Sequence, residues 1–158
     1  MKKIGIIHSF LEYPLIIADY DEHDIECEKK LIERLKEIAE VEIYHKFGAL
    51  TVRHIKTNVE DTKKPFDYFI ANIPYRYSGW DGDYLPEMYK AKRHAACDDL
   101  NLLLHMQEDF PDTKVILLAK SFEICEEARG YSYISHIIDT SNYPARNKNL
   151  DQIVGWVA

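Results

Sequence analysis

Five polar side chains stand at or near the ends of short apolar runs in the sequence: His8, Ser9, Asn72, Ser121 and Asp139. Parallel strands bring such positions to one edge of a sheet, where imidazole, hydroxyl and amide groups can hydrogen-bond a small polar ligand. The alternative is a polar pocket in which these side chains hydrogen-bond to one another and bind no ligand. The sequence gives the ligand-binding candidates His8, Ser9, Asn72 and Ser121, and it identifies no catalytic residue.

Segment 75–84 concentrates aromatic side chains, with three tyrosines, one tryptophan and an arginine. It follows the apolar run 67–73 and Pro74, so we expect it at the same sheet edge. Such rings can stack on a base or anchor a partner protein. The alternative is that the loop folds its rings onto its own sheet. The candidate contacts are Tyr75, Tyr77, Trp80 and Asp81.

Four acidic side chains crowd the segment 19–24: Asp19, Asp21, Glu22 and Asp24. Carboxylates are hard oxygen ligands that suit Mg²⁺ or Ca²⁺, but the glycine and the last glutamate of an EF-hand loop are missing. The alternative is a solvated helix start with Asp24 as the N-cap. The chain also lacks a phosphate-binding loop and a nucleophile-elbow motif. We predict no cofactor and assign no metal ligand, with the acidic segment left open.

Apolar runs alternate with amphipathic stretches along the chain, as in strands followed by helices. The predicted strands cover 4–7, 41–44, 67–73, 114–119 and 134–138. The predicted helices begin at Ile25 and cover about 85–109, 122–129 and 150–157, while 48–64 is left open between helix and loop. This alternation predicts a single α/β domain over 1–158. Its fold is a flavodoxin-like, doubly wound sheet of five parallel strands in the order 2-1-3-4-5, with helices on both faces.

The 158 residues carry a formal net charge of −7 and are 46% hydrophobic, the profile of a globular domain. The acidic balance disfavours nucleic acid and anionic membranes as partners. No apolar run reaches the roughly 18 residues that a membrane helix needs. The three cysteines are widely spaced and form no paired motif, which indicates reduced thiols and a cytoplasmic location.

From Phe66 onward the chain resembles the receiver domain of two-component response regulators. FDYFIANIP is similar to that family's third strand, which ends in the phosphoacceptor aspartate and is followed by a proline. SGWDGDYL is similar to the loop that opens the next helix. QEDFPDTKVILLAKS is similar to the turn and fourth strand, and SHIIDTSNYP to the fifth strand and its proline. The first half of the chain departs more from the family.

The resemblance implies a receiver that has lost its phosphorylation chemistry. The two acids that bind the metal in this family fall here on His8 and Ser9, and the phosphoacceptor falls on Asn72. The family's hydroxyl residue falls on Ala119, with Ser121 close by, and its lysine falls near Thr140 or Ser141. An amide has no charge and cannot form an acyl phosphate, which needs a carboxylate nucleophile. We therefore predict a degenerate receiver, or pseudo-receiver, that regulates through binding and takes no phosphate.

Receivers commonly pair through the fourth helix, fifth strand and fifth helix. The resemblance therefore implies a homodimer or a protein partner through residues 121–157, besides a small ligand at the strand ends. The alternative is a nucleotide-binding enzyme on the same type of sheet. The chain is similar to nucleoside deoxyribosyltransferases at Ser9, Asn72 or Asp81, and Glu87. Such an enzyme needs a nucleophilic carboxylate at Glu87, with Tyr13 or Tyr75 beside it.

Overall fold

The computed structural model describes residues 1–7, 18–77, 86–140 and 146–158, and of Pro86, Arg146 and Asn147 the backbone alone. Its strands are β1 (Lys2–Ile7), β2 (Ala39–Tyr44), β3 (Tyr68–Ile73), β4 (Lys114–Ala119) and β5 (Ile134–Asp139). Its helices are α1 (Glu22–Lys36), α2 (Ala49–Thr62), α3 (Pro86–Asp109), α4 (Phe122–Ala128) and α5 (Arg146–Val157). All neighbouring strands are parallel, in the order β2-β1-β3-β4-β5. This order confirms the predicted flavodoxin-like fold.

Two apolar layers cover the sheet because successive side chains of a strand point to opposite faces. Ile4 and Ile6 pack in the layer formed with α1 and α5, whereas Ile7 packs in the layer formed with α2, α3 and α4. The inner strands are buried on both faces, which explains their near-continuous apolar runs. In the part of the chain that the structure describes, no helix has the length and apolar character needed to span a membrane.

Helix α1 begins at Glu22, before the predicted start at Ile25, and its N-cap is Asp21. The Asp21 carboxylate accepts a hydrogen bond from the Asp24 amide at 2.9 Å. In return, the Asp24 carboxylate accepts one from the Asp21 amide at 3.0 Å. This capping box satisfies two amides at the helix start. The predicted N-cap at Asp24 is therefore wrong, since that residue is the reciprocal partner inside the helix.

The segment left open between helix and loop is helix α2, with 14 residues. Of these, Thr51 and Ile55 are buried, so a narrow contact face explains the faint apolar pattern. Other boundaries also extend beyond the prediction. Strand β2 begins at Ala39, and α5 begins at Arg146 rather than Leu150.

A buried lysine ties the start of β1 to the end of α2. The Lys3 ammonium donates to Thr62 Oγ1 at 2.9 Å and to the Lys64 carbonyl at 2.7 Å. It also donates to the Asn58 side-chain oxygen and lies 4.4 Å from the centre of the Phe66 ring. Burial lowers the pKa of Lys3. The cation sits where the helix dipole is negative, which favours its charged form.

The close approach of two phenylalanine rings requires the glycine in β1. A Cβ atom at Gly5 would lie 3.0 Å from Phe69 Cδ1 and 3.3 Å from Phe66 Cε1. Phe69 is fully buried, so its ring has little room to move away. The absence of a side chain at Gly5 therefore lets the rings pack directly over the strand.

Candidate functional site

Asp19 contacts the residues that follow β3 through both its backbone and its carboxylate. Its amide donates to the Pro74 carbonyl at 2.6 Å, which fixes the backbone at the strand end. Its carboxylate accepts from the Arg76 amide at 2.6 Å. The Lys92 ammonium donates to both carboxylate oxygens, at 2.7 and 2.9 Å. Segment 18–20, β3 and α3 are thereby joined at one point.

A second ion pair holds the start of α1 against the end of β4. Lys120 directly follows β4, and its ammonium donates to Asp24 Oδ2 at 2.6 Å. The Lys120 amide donates to the Ile73 carbonyl at 3.3 Å. The backbones of Asp19 and Lys120 thus contact consecutive residues, Pro74 and Ile73, at the end of β3.

Both ion pairs are removed from solvent. The side chains of Lys92 and Lys120 are 4% and 6% exposed, and those of Asp19 and Asp24 are 19% and 13% exposed. A charge buried this deeply is costly unless a partner of opposite sign neutralises it. Each lysine therefore requires an anion, which the segment 18–24 supplies in this structure.

The acidic segment thus contacts lysines rather than standing free in solvent. Among the residues that the structure describes, no group of three or more histidine, cysteine, aspartate or glutamate side chains is placed to hold a metal ion. Asp21 takes part in the capping box of α1, and Asp19 and Asp24 accept from ammonium groups. Three of the four acids therefore have defined structural partners.

Two of the predicted ligand-binding residues lie on neighbouring strand ends. Asn72 is half-buried near the end of β3, opposite Leu118 of β4. Ser121 is fully buried at the N-cap position of α4 but makes no capping hydrogen bond. Its Oγ has no hydrogen-bond partner among the described residues. The Ser121 hydroxyl nevertheless lowers the pKa of the Tyr77 phenol, against the larger effect of burial.

Tyr75 and Tyr77 are buried in the apolar layer that contains α3. The Tyr77 ring meets the Tyr89 ring edge to face at 5.8 Å, and burial raises the pKa of Tyr77 to about 12. For Tyr75 and Tyr77 alone, these contacts agree with the alternative in which the rings pack onto the sheet. Ligand binding by these tyrosines stays a prediction. The other candidates, His8, Ser9, Trp80 and Asp81, lie outside the described residues.

A half-buried acid, Asp99, was not among the predicted site residues. Burial raises the pKa of its carboxyl group to about 7, with a smaller contribution from the charge of Asp98. Burial raises the pKa of the Tyr75 phenol, and the negative charge of Asp99 raises it further. Lys92 and Asp99 are seven residues apart on α3, two turns along one face. This spacing in the sequence could have indicated that Lys92 and Asp99 lie on the same face of α3.

Two further predictions concern residues away from this cluster. Glu87, the nucleophile of the enzyme alternative, is exposed in the first turn of α3, and its companions Ser9, Tyr13 and Asp81 lie outside the described residues. On the predicted partner face, 121–157, Phe122 is 59% exposed and Tyr131 is 43% exposed. Both the enzyme and the partner face stay predictions.

No protein-family model matches this sequence, and no curated protein matches it. Solved structures do resemble it. A CheY-like receiver domain protein from Methanospirillum hungatei JF-1 is 18% identical with a TM-score of 0.53, covering 99% of this chain and 94% of that one. TrrA from Thermotoga maritima, in complex with Mg²⁺ and BeF, is 13% identical with a TM-score of 0.51, and the match covers 100% of both chains.

A third similar structure is a Burkholderia pseudomallei response regulator that contains a phosphorylated aspartic acid, a calcium ion and citrate. It is 9% identical with a TM-score of 0.53, and the match covers 100% of this chain and 67% of that one. At these identities the likeness establishes the fold, which is the CheY-like, flavodoxin-like fold of receiver domains.

Proposed function

We propose that this chain is a receiver-like regulatory domain that takes no phosphoryl group at the end of β3 and acts through binding. The observation that carries the proposal is Asn72 at that strand end, within a sheet whose order matches that of receiver domains. Transfer of a phosphoryl group to a side chain requires a nucleophile. The Asn72 amide is neutral and a poor nucleophile, so an acyl phosphate cannot form there.

The ion pairs near the ends of β3 and β4 support the same proposal. Phosphoryl transfer also needs cations that neutralise the charge developing on the transferred group. Among the residues that the structure describes, Lys92 and Lys120 carry buried ammonium groups near the ends of β3 and β4, and each pairs with an aspartate. A phosphoryl group would have to compete with both carboxylates.

Binding is proposed to occur through residues 121–157, to a second copy or another protein. The exposed ring of Phe122, at the start of α4, supports this part of the proposal. A matched control exists, because Leu50 of α2 is similarly exposed, at 63% against 59%. Analytical ultracentrifugation of Phe122→Ser and Leu50→Ser is expected to show weakened self-association for the first variant alone. Equal effects of both variants would argue against this face.

Acetyl phosphate with Mg²⁺ tests the missing phosphorylation directly. We expect the intact mass of the chain to stay unchanged while an ordinary receiver domain in the same reaction gains a phosphoryl group. We also expect beryllofluoride with Mg²⁺ to leave the amide NMR signals of the strand ends in place. A phosphoryl adduct mapped to residues 71–83 by peptide mass spectrometry would overturn the proposal.

A further inference from the structure

A ring stack and two hydrogen bonds hold the last turn of α5 on the sheet. The His136 ring of β5 and the Trp156 ring of α5 are parallel, with centroids 4.0 Å apart and an interplanar angle of 3°. The Tyr68 phenol of β3 donates to the Trp156 carbonyl at 3.0 Å. The Lys2 ammonium of β1 donates to the Val157 carbonyl at 2.6 Å. The end of α5 therefore contacts the strands β1, β3 and β5.

The stack suits the neutral form of the imidazole. At a centroid distance of 4.0 Å the two rings are in van der Waals contact over their faces, and both residues are half-buried. Trp156 also packs against the apolar layer formed with α1 and α5. Burial lowers the pKa of His136, and the positive charge of Lys114 lowers it further. A proton on His136 is therefore unfavourable while the stack is formed.

The cations around the stack come from β1 and β4. Lys114 is the first residue of β4, and its ammonium lies 5.8 Å from the centre of the Tyr68 ring. The Lys2 ammonium lies 5.7 Å from the same centre. Lys148 of α5 is eight residues before Trp156, which is about two turns along the helix. A proton on the imidazole thus adds a further positive charge where that of Lys114 already acts.

Three carboxylates on the surrounding elements have their contacts elsewhere. Burial and then the charge of Asp139 raise the pKa of the Cys125 thiol, so this acid of β5 acts toward α4. The Asp151 carboxylate of α5 accepts from Arg34 of α1 at 2.5 Å. The Asp67 carboxylate, just before β3, accepts from a backbone amide of β1 at 2.8 Å. Within the described part of the chain, none of these acids is a cause of the lowered imidazole pKa.

We propose that the stack of His136 on Trp156 is a proton-sensitive contact that holds the last turn of α5 on the sheet while the imidazole is neutral. Protonation of His136 loosens this turn and leaves the rest of the sheet in place. No covalent bond forms or breaks. Because α5 lies within the proposed partner face, 121–157, acidification alters that face. The contact itself does not depend on the proposed function.

Attraction between an imidazolium and the face of an indole acts in the opposite direction, and the two effects shift the pKa of His136 oppositely. If burial and Lys114 dominate, this pKa lies below its ordinary value of 6.5. It then rises in Lys114→Met, which removes the charge and keeps most of the side chain's length. If the attraction to the indole dominates, the pKa lies above the ordinary value and falls in Trp156→Leu.

Proton NMR titration of the imidazole measures this pKa directly. We expect the His136 ring signal and the Trp156 indole signal to titrate with one midpoint, below the ordinary histidine value. Amide hydrogen exchange of residues 153–157 reports whether the turn is held. After correction for intrinsic exchange rates, their protection should fall from pH 7.5 to pH 5. The fall should reach up to about tenfold for each pH unit by which the midpoint lies below the ordinary value.

The matched variants are His136→Gln and His54→Gln, which changes an exposed histidine of α2. Glutamine does not titrate, so His136→Gln should abolish the pH dependence of protection in residues 153–157. His54→Gln should retain it. Titration of groups elsewhere in the fold affects both variants alike and does not separate them. If His136→Gln does not fold, the NMR titration of the unmodified protein decides.

Two results would overturn the inference. One is a pKa of His136 at or above 6.5 in the unmodified protein. The other is the same pH dependence of protection in His136→Gln and His54→Gln. Intact mass after treatment with acetyl phosphate, and self-association of Phe122→Ser, test the proposed function in separate measurements. The failure of this inference and the failure of the proposed function are therefore distinguishable.

Discussion

Replacing Asp99 by asparagine should change how the stability of this protein depends on pH. Asp99 lies on the inner face of α3, and its carboxyl pKa is raised to about 7, first by burial and then by Asp98. Asparagine has nearly the same shape but does not titrate. The variant therefore removes the buried charge with little change in packing.

The size and sign of the effect follow from the pKa. A rise from 3.8 to about 7 corresponds to about 4 kcal/mol of the free energy of unfolding, as an upper bound, since each pKa unit is worth about 1.36 kcal/mol. Between these two values the folded protein binds a proton that the unfolded chain releases. The free energy of unfolding consequently falls as the pH rises from about 4 to about 7, and it stays low above that range.

Urea unfolding at pH 4, 6 and 8 measures the difference between the two proteins. We expect Asp99→Asn to match the unmodified protein near pH 4 and to be more stable by as much as about 4 kcal/mol at pH 8. Asp98→Asn is the control, because it removes only the smaller contribution and should retain most of the pH dependence. A difference between Asp99→Asn and the unmodified protein that does not vary with pH would refute this reasoning.

Three further variants test packing and capping, each by urea unfolding. Lys3→Met removes the ammonium donor from three partly buried hydrogen bonds and should lower the free energy of unfolding by about 1 to 3 kcal/mol. Gly5→Ala places a methyl group against Phe69 and should cost about 1 to 3 kcal/mol. Asp21→Ala removes the N-cap of α1 and should cost about 1 kcal/mol.

Each of these variants has a control at a site without the feature. Gly155→Ala adds a methyl group that meets nothing within 4 Å in α5, so it should stabilise by up to about 1 kcal/mol. Lys29→Met is the control for Lys3→Met and removes an exposed lysine of α1. Asp112→Ala is the control for Asp21→Ala and removes an exposed acid in the turn before β4. Both controls should be close to neutral, and equal losses in variant and control would contradict the proposed contacts.

The strands could be predicted well because burial on both faces leaves a clear trace in the sequence. Strand β4 was predicted with its observed bounds, Lys114–Ala119, since its apolar run ends abruptly at Lys120. The edge strand β2 was predicted two residues short, because Glu40 and Glu42 face solvent and interrupt its pattern. Helix α2 had a weak apolar signal, since Ile55 is its one buried apolar residue and Val52 and Val59 are partly buried beside it.

The candidate site was harder to predict because its contacts join distant parts of the chain. Asp19 and Lys92 are 73 residues apart, and Asp24 and Lys120 are 96 residues apart. No local spacing encodes such a pair, and Lys92 has charged neighbours in sequence that make it look like a surface residue. The strand-end argument predicted Asn72 and Ser121 near the ends of neighbouring strands, where the structure has them, and their role in binding stays a prediction. It could not indicate which lysines were buried there.

The inner position of β1 in the sheet has a consequence for local opening of the protein. β1 pairs with β2 on one side and with β3 on the other, and its side chains contribute to both apolar layers. Neither layer can separate from the sheet without disrupting this strand. The amide hydrogens of β1, β3 and β4 should therefore exchange with solvent through complete unfolding and report a common free energy of opening. Those of the edge strands β2 and β5 should exchange through partial openings of lower free energy.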